Sequence, residues 1–227
     1  MNNHDFVLIN ADTDSIMVCK RDSSIFTKEE RISLLKELNS LSPKGLNWDD
    51  DGYYETAIIL KAKNYILYDG QTIKYKGSSL KSSTLEPALK DFLHEIIDAI
   101  ISNENNFTEI YNKYVKEIDN IQDIKRWASK KTISEKTLNS PRANETKIMD
   151  AIEGSDYVEG DRVYVYFKPD GTLNLIEKFD GQYDKTVFLK KLYNTSLRFE
   201  TIMNCNELFL NYSLKRNKIK FEEIIKC

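Results

Sequence analysis

"FVLINADTDSIMVCK", residues 6–20, sets two carboxylates, Asp12 and Asp14, between two apolar runs. Residues 6–9 are apolar and β-prone and residues 16–19 are apolar again, so the stretch reads as a β-hairpin with a short polar centre. In a strand or tight turn, residues two apart lie on one side, so both carboxylates can reach one small volume. Two carboxylates that close repel unless a proton or a cation lies between them. A hard cation such as Mg²⁺, which takes carboxylate together with phosphate oxygens, meets that need. The same residues also suit a plain hairpin turn, because Asp and Ser bond readily to nearby backbone. The hairpin alone does not choose between the two.

The rest of the chain narrows the choice. At 227 residues it can bury one sizeable core or two smaller ones. A net charge of −3 gives no global electrostatic case for nucleic acid, so any such case must be local. His4 and His94 are far apart, and Cys19, Cys205 and Cys227 show no metal-ligand spacing. That sparse, odd cysteine count points to a reducing compartment without a disulfide framework, and away from zinc or Cys–His catalysis. No apolar run approaches the roughly 20 residues of a membrane span, and the first residues lack a signal-peptide pattern. The expectation is a cytoplasmic chain with no membrane partner.

Thr27-Lys28-Glu29-Glu30 is a capping box. Ile32, Leu34, Leu35 and Leu38 then predict a helix that ends before Pro43. Residues 41–51 read as a loop holding Trp48 and the acidic run Asp49-Asp50-Asp51. Residues 53–77 turn to strand pattern, with Asp69-Gly70 as a hairpin signal. Residues 78–84 read as a small polar linker, and a domain boundary falls near Glu86. Pro87 suits the first turn of a helix whose stripe runs Leu89, Phe92, Leu93, Ile96, Ile97 and Ile100. A second amphipathic helix spans 107–118, a short one 142–152, and another 184–202. "VYVYFKPDGTLNLIEKF" reads as strand, Pro-Asp-Gly turn and strand, and the tail after Asn217 as helical. Residues 121–144 are polar, basic and give no clear pattern. The predicted class is α+β, with a sheet-rich part over 1–86 and a mainly helical part with one β-hairpin over 87–227.

Charge is concentrated locally. From Lys61 to Lys90 six lysines stand against Asp69 and Glu86, with Tyr65, Tyr68 and Tyr75 interleaved. Lysines, hydroxyls and a glycine in "KGSSLKSST" make a plausible surface for phosphate oxygens. A second basic stretch runs from Lys125 to Lys147. Either stretch alone fits a solvated face equally well.

Four segments together resemble one family. "ADTDSI" (11–16) looks like motif C of the family B DNA polymerases, the Asp-Thr-Asp-Ser hairpin of the palm. "KAKNYILYDG" (61–70) resembles the later palm motif Lys-x-Tyr through Lys63 and Tyr65. "KGSSLKSST" (76–84) resembles the segment that follows it in T-even-type phage and eukaryotic replicative enzymes, and "VEGDRVYVYF" (158–167) a thumb segment of the T-even type. Order and approximate spacing agree from Asp12 to Phe167. The departures are Asn10-Ala11 where members often have Tyr-Gly, and Ala62-Lys63 where a double lysine is common. Only eleven residues precede the first Asp, so the 3′–5′ exonuclease domain, motif A with its metal-binding Asp, and motif B with its nucleotide-gripping Lys and Tyr have no counterpart in this sequence.

The resemblance implies a C-terminal portion of such an enzyme: an antiparallel palm sheet (1–86) followed by a thumb (87–227). It implies phosphoryl transfer, in which a primer 3′-hydroxyl attacks the α-phosphorus of a dNTP beside two Mg²⁺ ions. Asp14 would be the stronger metal ligand, with Asp12 nearer the primer end. Lys63 and Tyr65 would contact primer–template DNA, and Lys76, Gly77, Lys81, Ser82 and Ser83 would hold the backbone of the departing duplex. An N-terminal partner chain carrying exonuclease, motif A and motif B would be required for activity. The initial Met and intact motif favour a natural split gene, of the kind a phage would carry. Two other readings stand beside this one. "VLINADTDSI" also resembles the first motif of haloacid-dehalogenase-type phosphatases, with Asp12 as nucleophile and Asp14 as acid/base. Such enzymes need a later Lys and acidic pair in an alternating α/β chain, and Asp49–Asp51 comes too early for that role. The third reading is a non-catalytic DNA-binding module.

Overall fold

The computed structural model describes residues 5–77, 85–135 and 143–205, the backbone alone for 143–146. The expected linker, with Lys81, Ser82 and Ser83, and the expected tail helix lie outside these residues. The chain is α+β, every described strand pair is antiparallel, and it divides into two compact units, Met1–Lys81 and Ser82–Cys227.

In the first unit, β1 (Phe6–Asp12) and β2 (Ser15–Lys20) form the two-stranded sheet expected from the opening stretch. Phe6 lies opposite Lys20 and Asp12 opposite Ser15, with a register shift between Leu8 and Asn10. Thr13 and Asp14 are the whole turn. Helix α1 (Lys28–Leu41) starts at the capping box: the Thr27 N–H donates to Glu30 Oε2 (2.7 Å) and the Glu30 N–H to Thr27 Oγ1 (3.2 Å). Lys20 at the end of β2 reaches the same Glu30 at 2.7 Å, which joins hairpin to helix. The following loop folds back on α1 through Trp48. Its N–H donates to Asn39 Oδ1 (2.6 Å) and its indole N–H to Ser42 Oγ (2.8 Å). A second sheet, β3 (Thr56–Lys61), β4 (Asn64–Tyr68) and β5 (Ile73–Lys76), completes the unit in the order β3-β4-β5. The β4–β5 turn falls on the Asp69-Gly70 signal. The β3–β4 turn is the two residues Ala62-Lys63, which carry no sequence signature of a turn.

The second unit is built on aromatic packing. Helices α2 (Pro87–Ile101) and α3 (Phe107–Asp119) bury the stripes read from their spacing. Phe92 meets Tyr114 edge-on at 5.4 Å, Tyr114 meets Trp127 at 6.4 Å, and Trp127 meets Phe188 at 5.8 Å. Trp127 closes the one-turn helix α4 (Ile124–Trp127), and Phe188 lies on α6 (Lys185–Ser196). A three-stranded sheet has the order β6 (Ser129–Thr132), β7 (Arg162–Phe167), β8 (Leu173–Leu175). Helix α5 (Ala143–Ile152) covers one of its faces, with Ile152 packed among Ile133, Val163, Val165 and Leu175. The expected 184–202 helix is shorter, ending in a 3₁₀ turn over Leu197–Phe199. Sequence pattern missed α4 and β6, since four-residue elements hold too few positions to show a period.

One buried polar knot ties the second unit together. Glu86, 8 % exposed, accepts from Lys191 Nζ at 2.6 Å and from Ser129 Oγ at 2.8 Å, and Lys191 also reaches Ser129 Oγ at 2.7 Å. A carboxylate this buried is tolerated because a cation and a hydroxyl satisfy it. The knot pins the start of α2 to β6 and α6.

Candidate active site

Asp12 is the last residue of β1 and Asp14 stands in the turn that follows. The two carboxylates are in different states. Asp12 is half-buried and already engaged: its Oδ1 accepts from the Thr13 N–H (2.8 Å), from Thr13 Oγ1 (3.2 Å), and pairs with Lys63 Nζ at 3.1 Å. The Thr13 backbone donor first, and Lys63 second, hold its carboxyl below the usual aspartate value. Asp14 is exposed and, among the described residues, has no hydrogen-bond or ion-pair partner.

Lys63 reaches Asp12 because of the unsigned turn. At φ 60° it occupies the left-handed region, unusual for a residue with a Cβ, and it tips the β3–β4 hairpin. Sequence reading placed Lys63 within a strand pattern; the only clue to the turn was that "TAIIL" and "YILY" are two apolar runs with four polar or small residues between them. Gly77 stands against this turn. Its φ is +102°, and a Cβ there would collide with the Lys63 carbonyl oxygen and the Asn64 side chain. Its missing side chain therefore serves close packing inside the protein.

In the second sheet, residues opposite one another in an antiparallel pair share a face. Tyr65 lies opposite Lys76, and Leu67 opposite Lys74. Tyr65, Lys74 and Lys76 therefore project from one face. Lys76 is exposed, whereas Lys74 donates to Tyr54 Oη (3.0 Å) and sits 5.0 Å from the centre of that ring.

The carboxylate oxygens of Asp12 and Asp14 are hard donors of the kind Mg²⁺ takes, one or two at a time, with water and substrate phosphates filling the other positions. Among the described residues, no group of three or more His, Cys, Asp or Glu could hold a metal ion. The acidic run does not join the hairpin pair: Asp50 pairs with Arg31 at 3.5 Å and accepts from the Gly52 N–H. The two carboxylates suit Mg²⁺ in chemistry and fall short of a complete ligand set in number.

No family model and no curated protein matches this sequence. Among solved structures, the family B DNA polymerase from the hyperthermophilic archaeon Pyrobaculum calidifontis superposes with a TM-score of 0.67 over 87 % of this chain. The fold is polymerase-like. Identity over the match is 16 %, and the chain spans only 27 % of that polymerase's length. The likeness is therefore one of fold, over about a quarter of the larger protein. Among the described residues, no helix is long and apolar enough to cross a membrane.

Proposed function

We propose that the chain is the later palm (1–86) and the thumb (87–227) of a family B DNA polymerase. It supplies the motif C aspartates and a primer–template-binding thumb to Mg²⁺-dependent nucleotidyl transfer, and an N-terminal chain carrying exonuclease, motif A and motif B completes the enzyme. The observation that carries this reading is the 3.1 Å pairing of Lys63 with Asp12. Two segments far apart in sequence, each resembling a different palm motif, meet at one point. The polymerase-like fold supports the same reading from a separate direction.

In this reading the roles divide as the geometry divides. Asp14, exposed and unengaged, would be the principal Mg²⁺ ligand. Asp12, held by Thr13 and Lys63, would shape the site beside the primer end. When bound, Mg²⁺ would stabilise charge on the attacking and leaving oxygens of the dNTP reaction. Lys63, Tyr65 and Lys76 would orient primer–template DNA against the hairpin, with Gly77 allowing the strand end to close on the Lys63 turn. Lys81, Ser82 and Ser83 would extend that contact along the duplex. The phosphatase reading loses support, since its alternating α/β architecture calls for parallel strands and every described pair here is antiparallel.

The test is Asp14→Asn in the complex with the N-terminal chain. The amide keeps the shape and removes the charge, so single-turnover dNTP incorporation should fall by several orders of magnitude while DNA binding survives. Asp12→Asn should cost less. A phosphatase would incorporate nothing, and its phosphate-ester hydrolysis would fall most with Asp12→Asn, because its nucleophile is the first Asp. Near-normal incorporation by Asp14→Asn would reduce the pair to a structural turn. The purified chain alone should not extend a primer, and steady Mg²⁺-dependent extension by it would defeat the need for a partner.

A further inference from the structure

The two carboxylates of the opening hairpin share one cation. Three contacts converge on Asp12 Oδ1: hydrogen bonds from the Thr13 N–H (2.8 Å) and Thr13 Oγ1 (3.2 Å), and the ion pair with Lys63 Nζ (3.1 Å). The Thr13 contacts are local to the turn and bring no net charge. Among the described residues, Lys63 is the one cation paired with either aspartate, and Asp14 has no hydrogen-bond or ion-pair partner. Two carboxylates beside one ammonium leave the hairpin with surplus negative charge.

The backbone of Lys63 is fixed while its charge is free. Its φ of 60° tips the β3–β4 hairpin, and Gly77 packs so closely behind it that a Cβ there would collide with the Lys63 carbonyl oxygen. Its side chain, by contrast, is 71 % exposed, against 29 % for Asp12. An ion pair this open to water is weakly held. Lys63 is therefore a cation tethered beside Asp12 and easily displaced from it. Lys61, two residues earlier, is equally exposed and has no carboxylate partner among the described residues, so the pairing follows from the turn and not from lysine content. An ammonium and a divalent cation at one carboxylate repel each other.

We propose that Lys63 is a built-in counter-ion of the Asp12–Asp14 pair: it offsets the pair's charge in the metal-free chain and is displaced from Asp12 when a divalent cation binds. Lys63 therefore lowers the hairpin's affinity for divalent cations. Taking that cation to be Mg²⁺ rests on the polymerase reading, whereas the pairing, the exposure and the fixed turn stand without it. A lysine that only held Asp12 in shape for a metal would act in the opposite sense, because its loss would weaken metal binding. The sign of the change separates the two roles.

The experiment compares the full chain with Lys63→Gln, Lys63→Arg and the control Lys61→Gln. The probe is Mn²⁺, read by paramagnetic broadening of the Thr13 and Asp14 amide signals at low and high salt. Unchanged amide shifts along β3 and β4 verify that each variant keeps its fold. Lys63→Gln should bind Mn²⁺ several-fold more tightly, Lys63→Arg should keep the wild-type affinity, and Lys61→Gln should change less. The gain in Lys63→Gln should shrink at high salt, as a charge effect does. Equal or weaker Mn²⁺ binding by Lys63→Gln overturns the counter-ion role. So does an equal gain from Lys61→Gln, which would mean diffuse surface charge, and so does a hairpin left unbroadened in every form. The measurement needs no partner chain, DNA or nucleotide, so its failure is distinct from that of the polymerase reading, which is tested by Asp14→Asn in the complex.

Discussion

The two units of this chain handle their apolar residues in opposite ways. In the second, Phe92, Tyr111, Tyr114, Trp127 and Phe188 are all buried to within 1 % exposure and linked ring to ring. In the first, only Ile58, Ile66 and Leu67 are buried apolar residues among those described. The hairpin that carries Asp12 and Asp14 buries no residue, nor does α1, and Ile25, Leu41 and Leu46 are largely exposed. A two-stranded sheet by itself is marginal in water. A catalytic constellation also needs rigid support from a surrounding shell. In the proposed enzyme, a completing chain would therefore act on the first unit, whose hairpin lacks burial of its own. Amide exchange should report this directly. The β1–β2 amides should exchange quickly in the isolated chain and slow on addition of the N-terminal chain, with α2 and α3 protected throughout. Protection of β1–β2 equal to that of α2 in the isolated chain would erase the contrast.

The largest energetic effect belongs to Trp127. Trp127→Ala removes a fully buried ring between Tyr114 and Phe188, and leaves Glu117 without the indole donor it accepts at 2.9 Å. A loss of about 3–5 kcal/mol is expected, against no more than about 0.5 kcal/mol for Leu41→Ala on the exposed end of α1. Urea unfolding followed by far-UV circular dichroism compares the two, and similar costs would mean that the units are equally well packed. Next comes Lys191→Met, which strands the Glu86 carboxylate beside Ser129. About 3 kcal/mol should be lost, and most of it regained when Glu86→Gln is added. If the second change gives no recovery, the Glu86–Lys191–Ser129 knot is not an electrostatic unit.

Gly77→Ala should be smaller and confined to the first unit. The left-handed φ and the collision with the Lys63 carbonyl together cost about 1–3 kcal/mol. The amides of the β3–β4 turn should exchange faster while the second unit is unchanged. A neutral outcome would mean that the turn can move away, and that Gly77 does not fix where Lys63 stands.

Legibility from sequence followed the same divide. Long periodic stretches such as 87–101, the capping box at Thr27, and the strands around Asp12 were readable because each repeats a local rule over enough positions. The Ala62-Lys63 turn was not readable, since neither residue prefers a positive φ and the turn is enforced by pairing on both sides and by Gly77. The Lys63–Asp12 contact was invisible for the same reason: it joins two sheets through tertiary packing that no local pattern encodes. Net positive charge over 125–147 was legible, but which of its cations are free depended on partners at Glu117, Asp91 and Gly171.

The smallest expected effect is the sharpest check on the site. Asp12 is held below the usual aspartate value, first by the Thr13 backbone N–H and next by Lys63. A carboxylate depressed in the folded state contributes stability above its unfolded value, and the contribution is lost as pH falls through the folded value. Asp12 should therefore still be ionised at acidic pH where an unpaired aspartate has begun to protonate, and the Lys63 contact should persist there. Lys63→Ala should raise the Asp12 titration without returning it to the ordinary value, because the Thr13 donors remain. Carboxyl-carbon NMR of the isolated chain, wild type against Lys63→Ala, reads both points without partner, metal or DNA. An Asp12 titration unmoved by Lys63→Ala would mean that the ion pair does not form in solution. The two motif-like segments would then be independent, and the observation on which the polymerase reading rests would be gone.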